Sequence, residues 1–211
     1  MKKFLSLFVA AVCLVACSAK SPTLDQAIDL EDVPAIQGAL ARGSDVNALD
    51  ESGETPLMFA SKNGQTEIVK LLLLYTQADP NIPSKSWKTP GETALMLACQ
   101  NNHAGIVALL LAAGANIEQA DESGKTALMV ASEGGQHEIV RQLLKARAKV
   151  DAQTKDGATA LMLASRAGHV NVVETLLAAG ADLKKTDKQG QNAAEYARKP
   201  RLVLLLQQEE K

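Results

Sequence analysis

The sequence predicts an all-α solenoid of helix–turn–helix units joined by β-hairpin fingers, and three observations carry that expectation. A short phrase recurs four times, as Thr55-Pro56-Leu57-Met58, Thr93-Ala94-Leu95-Met96, Thr126-Ala127-Leu128-Met129 and Thr159-Ala160-Leu161-Met162. The last three copies lie 33 residues apart, and the first lies 38 before the second. A glycine stays in phase two residues ahead of each threonine, at Gly53, Gly91, Gly124 and Gly157, and the phase continues to Gly190 ahead of Asn192. Self-similarity at such a period marks stacked units, none of which can bury its apolar face alone.

The chain opens with a segment outside this pattern. Lys2 and Lys3 precede an apolar stretch over 4–14, too short for a permanent bilayer span and suited to the core of a secretory signal. It ends in Leu14-Val15-Ala16-Cys17, which resembles a bacterial lipobox. The resemblance implies a lipoprotein signal peptide over 1–16, lipidation of Cys17, a short tether over 17–22 and a folded domain over 23–211. Ordinary cleavage after Ala19 is the alternative. Several acyl chains on one cysteine anchor stably, because each buried CH₂ contributes about 0.8 kcal/mol. Ser18, by resemblance to the sorting pattern of Gram-negative lipoproteins, directs such a protein to the outer membrane.

Residues 23–50 form a degenerate first unit ending in Gly43-Ser44-Asp45-Val46-Asn47. Four full units follow, over 51–83, 88–121, 121–154 and 154–187. Each starts at its Thr-x-Leu-Met phrase, runs through a short helix and breaks at small residues, as in Ala60-Ser61-Lys62-Asn63-Gly64. A longer helix comes next, with apolar residues at i, i+1, i+4 and i+5. Ile106, Val107, Leu110 and Leu111 form one such stripe; Ile139, Val140, Leu143 and Leu144 form the next, and Val172, Val173, Leu176 and Leu177 the third. Gly114 and Gly180 end that helix as left-handed caps. Arg147 stands in their place in the fourth unit, and the glycine is absent near Thr76 and Gln77 in the second. The last segment, 188–211, begins a sixth unit at Gly190-Gln191-Asn192-Ala193-Ala194 and closes with the apolar run 202–206. End units are expected to be atypical because each presents a wet face.

These motifs resemble the ankyrin repeat, whose consensus runs Gly-x-Thr-Pro-Leu-His-x-Ala through Gly-His-x-Glu-Ile-Val to Leu-Leu-x-x-Gly-Ala-Asp-Val-Asn. The resemblance covers the chain from about Thr23 onward. Methionine replaces the family histidine in all four full units, at Met58, Met96, Met129 and Met162. The connection from Asp79 to Thr93 spans 14 positions, against 10 from Asp45 to Thr55, Asn116 to Thr126 and Asp182 to Asn192, so one finger differs from its neighbours.

Composition narrows the function. Loss of Lys2 and Lys3 with the signal leaves 20 basic against 24 acidic residues, a net of −4, and aromatic residues are 3% of the chain. Nucleic-acid binding needs clustered Lys and Arg with stacking rings, and this sequence offers neither. Cys13 leaves with the signal and Cys17 is acylated, so Cys99 remains as a lone thiol without a disulfide partner. It sits where other units carry Ser61, Ser132 and Ser165 and reads as a small packed side chain, because no histidine or acid is in phase with it. The methionine ladder suggests Cu(I). Stacked helices, however, lie about 8–10 Å apart, too far for sulfurs to share an ion, so methionine reads as a core filler. His103, His137 and His169 start successive second helices, and no two are at metal-ligand spacing. No phosphate loop, nucleophile elbow or His-Glu-x-x-His motif occurs, so neither an enzyme nor a cofactor is expected.

The family's recognition positions, carried over residue by residue, give candidate protein-binding residues. They are Glu51, Ser52, Glu54, Lys62 and Asn63 in the second unit, and Thr89, Glu92, Gln100 and Asn101 in the third. The fourth contributes Glu122, Ser123, Lys125 and Glu133, and the fifth Lys155, Asp156 and Arg166. The long finger adds Trp87, the only tryptophan, within a segment holding Pro80, Pro83 and Pro90. Prolines stiffen a loop and tryptophan is enriched at binding hot spots. The alternative is that Trp87 folds back on Ile82 and Tyr75 to plug the insertion. The expected product is a monomer, tethered by lipid to the bacterial envelope and facing the periplasm, that binds a protein partner. Resemblance to small exported ankyrin proteins implies a scaffold or helper of an oxidative-stress enzyme such as catalase, or an immunity protein against a secreted toxin.

Overall fold

The computed structural model describes residues 21–75, 77–200, 202, 203 and 206. The expected signal, Cys17, the start of the tether and Thr76 lie outside the described residues. Among those described, helices come in pairs, one pair in each of the first five units, with a single named helix in the last. The first unit holds α1 (Leu24–Asp29) and α2 (Val33–Ala41), and the second α3 (Pro56–Lys62) and α4 (Thr66–Tyr75). Next come α5 (Ala94–Gln100) with α6 (Ala104–Ala112), and α7 (Ala127–Glu133) with α8 (His137–Lys145). The series ends with α9 (Ala160–Ala167), α10 (Val170–Ala178) and the short α11 (Ala193–Tyr196).

The recurring threonine is the N-cap of each first helix. The Oγ1 of Thr55, Thr93 and Thr159 accepts from the backbone N–H three residues on, at 3.2–3.4 Å, leaving fewer orphan donors at the helix start. Methionine has a second task here. The Sδ of Met58 and Met162 accepts from the N–H of Thr55 and Thr159 at 3.4 Å, completing a weak capping box. The second helices α6 and α10 end as the sequence predicts. Gly114 and Gly180 both have φ +86°, and Ala115 and Ala181 donate back to Leu110 and Leu176. Arg147 occupies the same left-handed place at φ +67°, with Ala148 N–H bonded to Leu143 O.

First helices stack on first helices, α1 on α3 and then through α5, α7 and α9 to α11. Second helices form an outer layer, α4 through α6 and α8 to α10. Leu57, Leu95, Leu128 and Leu161, with the four phrase methionines, are each 1% exposed, so the repeated Leu-Met pair is the continuous core of the stack. Of each second-helix stripe the first three residues are buried, while Leu111, Leu144 and Leu177 lie half-buried at its margin. Leu24, Ile28 and Ile36 close the core at one end, and Leu202 and Leu206 at the other.

The fingers correct one expectation: they are tight turns, not β-hairpins. Among the described residues only an isolated bridge, Ala120 to Thr126, has strand character. In each finger one ladder bond forms, as from Asp50 N–H to Glu54 O and from Asp121 N–H to Lys125 O. The reciprocal donor is captured by a side chain: Glu54 N–H bonds to Asp50 Oδ1, Lys125 N–H to Asp121 Oδ1, and Gln191 N–H to Asp187 Oδ1. Local side-chain acceptors compete with a ladder in this way. Between successive fingers one backbone bond forms each time, from Lys85 N–H to Gly53 O, Glu122 to Pro90, Lys155 to Ser123 and Lys188 to Asp156.

A second row of bonds ties unit to unit at the start of each second helix. Gln65, His103, Gln136, His169 and Lys199 each reach a backbone carbonyl of the preceding unit, at Ile28, Lys62, Gln100, Glu133 and Gly168. His137 is out of phase with this row. It is the first residue of α8, and its Nε2 lies 2.9 Å from Thr175 Oγ1 on the outer layer. The in-phase histidines explain two glycines. A Cβ on Gly64 would stand 2.6 Å from the His103 ring, and one on Gly135 would stand 2.5 Å from the His169 ring. Asn102 fills the same left-handed position at φ +59°, where the following unit brings the narrower Gln136.

Candidate protein-binding surface

The fingers and first helices bring most of the sequence-derived candidates to one face. Glu51, Ser52, Asn63, Gln100, Asn101, Glu122, Ser123, Lys155, Asp156 and Arg166 are all exposed there. Several are already used within the chain. The hydroxyls of Ser52 and Ser123 donate to Asp50 and Asp121 at 2.7 Å, and Asn101 Nδ2 donates to Leu97 O. These Asp residues were not among the candidates, yet each holds its finger through three hydrogen bonds to one carboxylate oxygen.

Charged candidates pair more than the sequence suggests. Glu54 is only 4% exposed, and its carboxylate lies 2.9 Å from Lys62 Nζ, so it is not a free recognition group. Glu133 is shared between Lys125 and Arg166, one on each oxygen. Burial pushes its carboxyl up, but hydrogen bonds and charge from Lys125 and then Arg166 outweigh that, holding it below the ordinary value. Glu92 has no such neighbour. Burial first, and then the charge of Asp121, hold its carboxyl above the ordinary value, against the opposing pull of Lys125. Near the N-terminal end, Asp25, Asp29 and Asp50 line a shallow cleft floored by Pro56 and Phe59. Burial and then Asp50 raise Asp25.

The long finger is built by a substitution of roles. Ser84 takes the position that Asp50 and Asp121 hold elsewhere: its N–H bonds to Glu92 O, and its Oγ accepts from Ser86 N–H. The turn therefore runs from Ser84 to Gly91, whereas neighbouring turns run from Asp50 to Gly53 and from Asp121 to Gly124. The extra residues lie at the tip. Ser84 and Ser86 are buried beneath it, Thr89 is half-buried with its Oγ1 3.3 Å from Ser84 Oγ, and Trp87 stands 84% exposed. Trp87 is therefore no plug. Lys88 places its ammonium 5.3 Å from the indole centroid, within cation–π range. The tip is an aromatic platform rimmed by Lys85 and Lys88, both exposed.

Cys99 is fully buried, and burial pushes its thiol up, the opposite of what a nucleophile needs. Among the described residues no group of His, Cys, Asp and Glu is placed to hold a metal ion, and no helix is long and apolar enough to cross a membrane.

Comparison with known families agrees with this architecture. A family model described as ankyrin repeats (three copies) matches residues 24–121 and 109–187. The chain belongs to the ankyrin-repeat family. Domains of this family are typically non-catalytic protein-binding modules, which sets the coarse class of this chain as a protein-interaction scaffold.

Proposed function

We propose that this ankyrin-repeat chain is an exported protein, tethered by lipid at Cys17 to the periplasmic side of the bacterial outer membrane. There it holds a protein partner as a scaffold or stabilising helper, with an oxidative-stress enzyme such as catalase as the leading class of partner. The binding surface is the concave face that solenoids offer, made of finger tips and first helices, with the long finger at its centre. The observation that carries the reading is Trp87, a lone indole held 84% exposed on a tip whose base is buried. An exposed large apolar ring on a braced loop is the kind of anchor that dominates protein interfaces. The charge row Glu54–Lys62 and Lys125–Glu133–Arg166 supplies a pre-organised polar rim beside it.

The tether and the partner are tested together. Acyl labelling and membrane fractionation of wild type and Cys17→Ala in a Gram-negative host check the anchor; equal membrane association and unchanged mass in the variant would refute it. Affinity capture from envelope extract, with wild type and Trp87→Ala compared side by side, identifies the partner. Recovery of a catalase-type enzyme lost in the variant supports the helper role, whereas recovery of a secreted toxin reassigns the chain as its immunity protein.

A further inference from the structure

The charges on the binding face follow a register. The residue after the turn glycine and the residue eight positions later carry opposite charges and pair, as Glu54 with Lys62 and Lys125 with Glu133. In the fifth unit Ala158 holds the first position, and Arg166, at the second, reaches back to Glu133. The third unit breaks the rule. Its two residues are Glu92 and Gln100, an acid with a neutral residue where the counter-charge stands elsewhere.

The Glu92 carboxylate has no hydrogen bond or ion pair among the described residues, and its Oε2 has less than 1 Å² of exposed surface. A buried carboxylate oxygen without a donor is costly and rare enough to require a reason. The nearby cations are committed, Lys62 to Glu54 and Lys125 to Glu133. Glu92 lines a cleft of about 280 Å³ between α5 and α7, together with Gln100, Asp121, Lys125, Glu133 and Gln136. Gln136 spends its amide N–H on Gln100 O, and its Oε1 is a second acceptor with no donor.

We propose that this cleft is a subsite for one cationic side chain of the protein partner, an arginine or a lysine that completes the charge row at Glu92. The proposal rests on the protein-binding reading above and names the chemistry of the partner. Arginine fits better, because its planar fork of donors matches a carboxylate while lysine offers a point charge. Complementarity at this unit selects against an acidic partner segment, which would place like charges together over Glu92 and Asp121.

The test uses N-acetylarginine amide as the probe and N-acetylcitrulline amide, which keeps the shape and removes the charge, as its control. Side-chain carboxyl shifts of the full folded domain are followed by NMR at matched ionic strength. The expected result is a saturable shift of the Glu92 carboxyl with the arginine probe and none with citrulline. Gln100→Lys, which supplies the missing charge within the chain, should weaken that response about tenfold or more, and Glu92→Gln should leave only small, even shifts over the other carboxylates. An absent Glu92 shift, an equal response to citrulline, or an undiminished response in Gln100→Lys would overturn the subsite. The probe needs no partner, so its failure refutes the cation subsite alone; the protein-binding reading stands or falls on capture through Trp87.

Discussion

Replacing Arg147 with glycine should make the protein more stable, although it removes a whole side chain. Arg147 sits at φ +67° in the motif that Gly114 and Gly180 form at φ +86°, with its N–H 2.9 Å from Leu144 O and Ala148 N–H 3.0 Å from Leu143 O. Its side chain is exposed and makes no hydrogen bond or ion pair among the described residues. A Cβ in the left-handed region costs about 1–2 kcal/mol. The greater freedom of glycine in the unfolded chain returns about 0.5–1 kcal/mol of that. The net gain is about 0.5–1 kcal/mol, or roughly 1–4 °C in Tm for a domain of this size. Scanning calorimetry and urea titration of wild type and Arg147→Gly read it directly. Gly180→Arg is the reverse experiment. No heavy atom lies within 4 Å of a Cβ added there, so any loss is backbone strain rather than a clash. An unchanged or lowered midpoint in Arg147→Gly, or a neutral Gly180→Arg, would mean that left-handed strain does not limit stability at this cap.

Gly135→Ala should lower the urea midpoint by an amount equivalent to about 2 kcal/mol or more, from positive φ and from a Cβ set against the His169 ring. The double change Gly135→Asn with His169→Gln copies Asn102 and Gln136 and should recover most of the loss seen in Gly135→Asn alone; no recovery would mean the ring is not the obstacle. Glu92→Gln should raise stability at pH 7. A carboxyl whose folded pKa is raised above 4.5 favours the folded state below its unfolded pKa and loses that contribution as pH rises through the folded value. The advantage of the variant should therefore shrink toward zero as pH falls below the ordinary Glu range, and a pH-independent difference in Tm would contradict it.

How much the sequence reveals depends on whether a residue's role is local. Thr55, Gly114 and Arg147 are set by their own backbone, so a phase count alone places caps and left-handed positions. The insertion was visible as added length between Asp79 and Thr93, but its place at the tip was not, because Ser84 does the work of an aspartate and disguises the register. The fingers look like hairpins in sequence because each is a short connection carrying a turn glycine. Their failure to pair comes from Asp50, Asp121 and Asp187 taking the second donor, a competition that periodicity does not record. Glu54 reads as a recognition acid until it is seen buried and paired with Lys62, eight residues on. His137 reads as one of a histidine row, though Gln136 stands 33 residues after His103 and marks the true phase. The sequence leaves the exposure of Trp87 open, because a plug and an anchor use the same residue; its 84% exposure in the fold decides between them.

If this solenoid grips a protein through the long finger, titration of the recovered partner against wild type and Trp87→Ala will read that grip. A hot-spot tryptophan contributes about 2 kcal/mol or more, so affinity should fall roughly thirtyfold while Tm stays within about 1–2 °C of wild type, because an 84% exposed ring gives little to the fold. Glu174→Ala, exposed on α10 in the outer layer, should bind as wild type does. Unchanged affinity in Trp87→Ala, or a loss matched by Glu174→Ala, would contradict the claim and move the partner away from the finger.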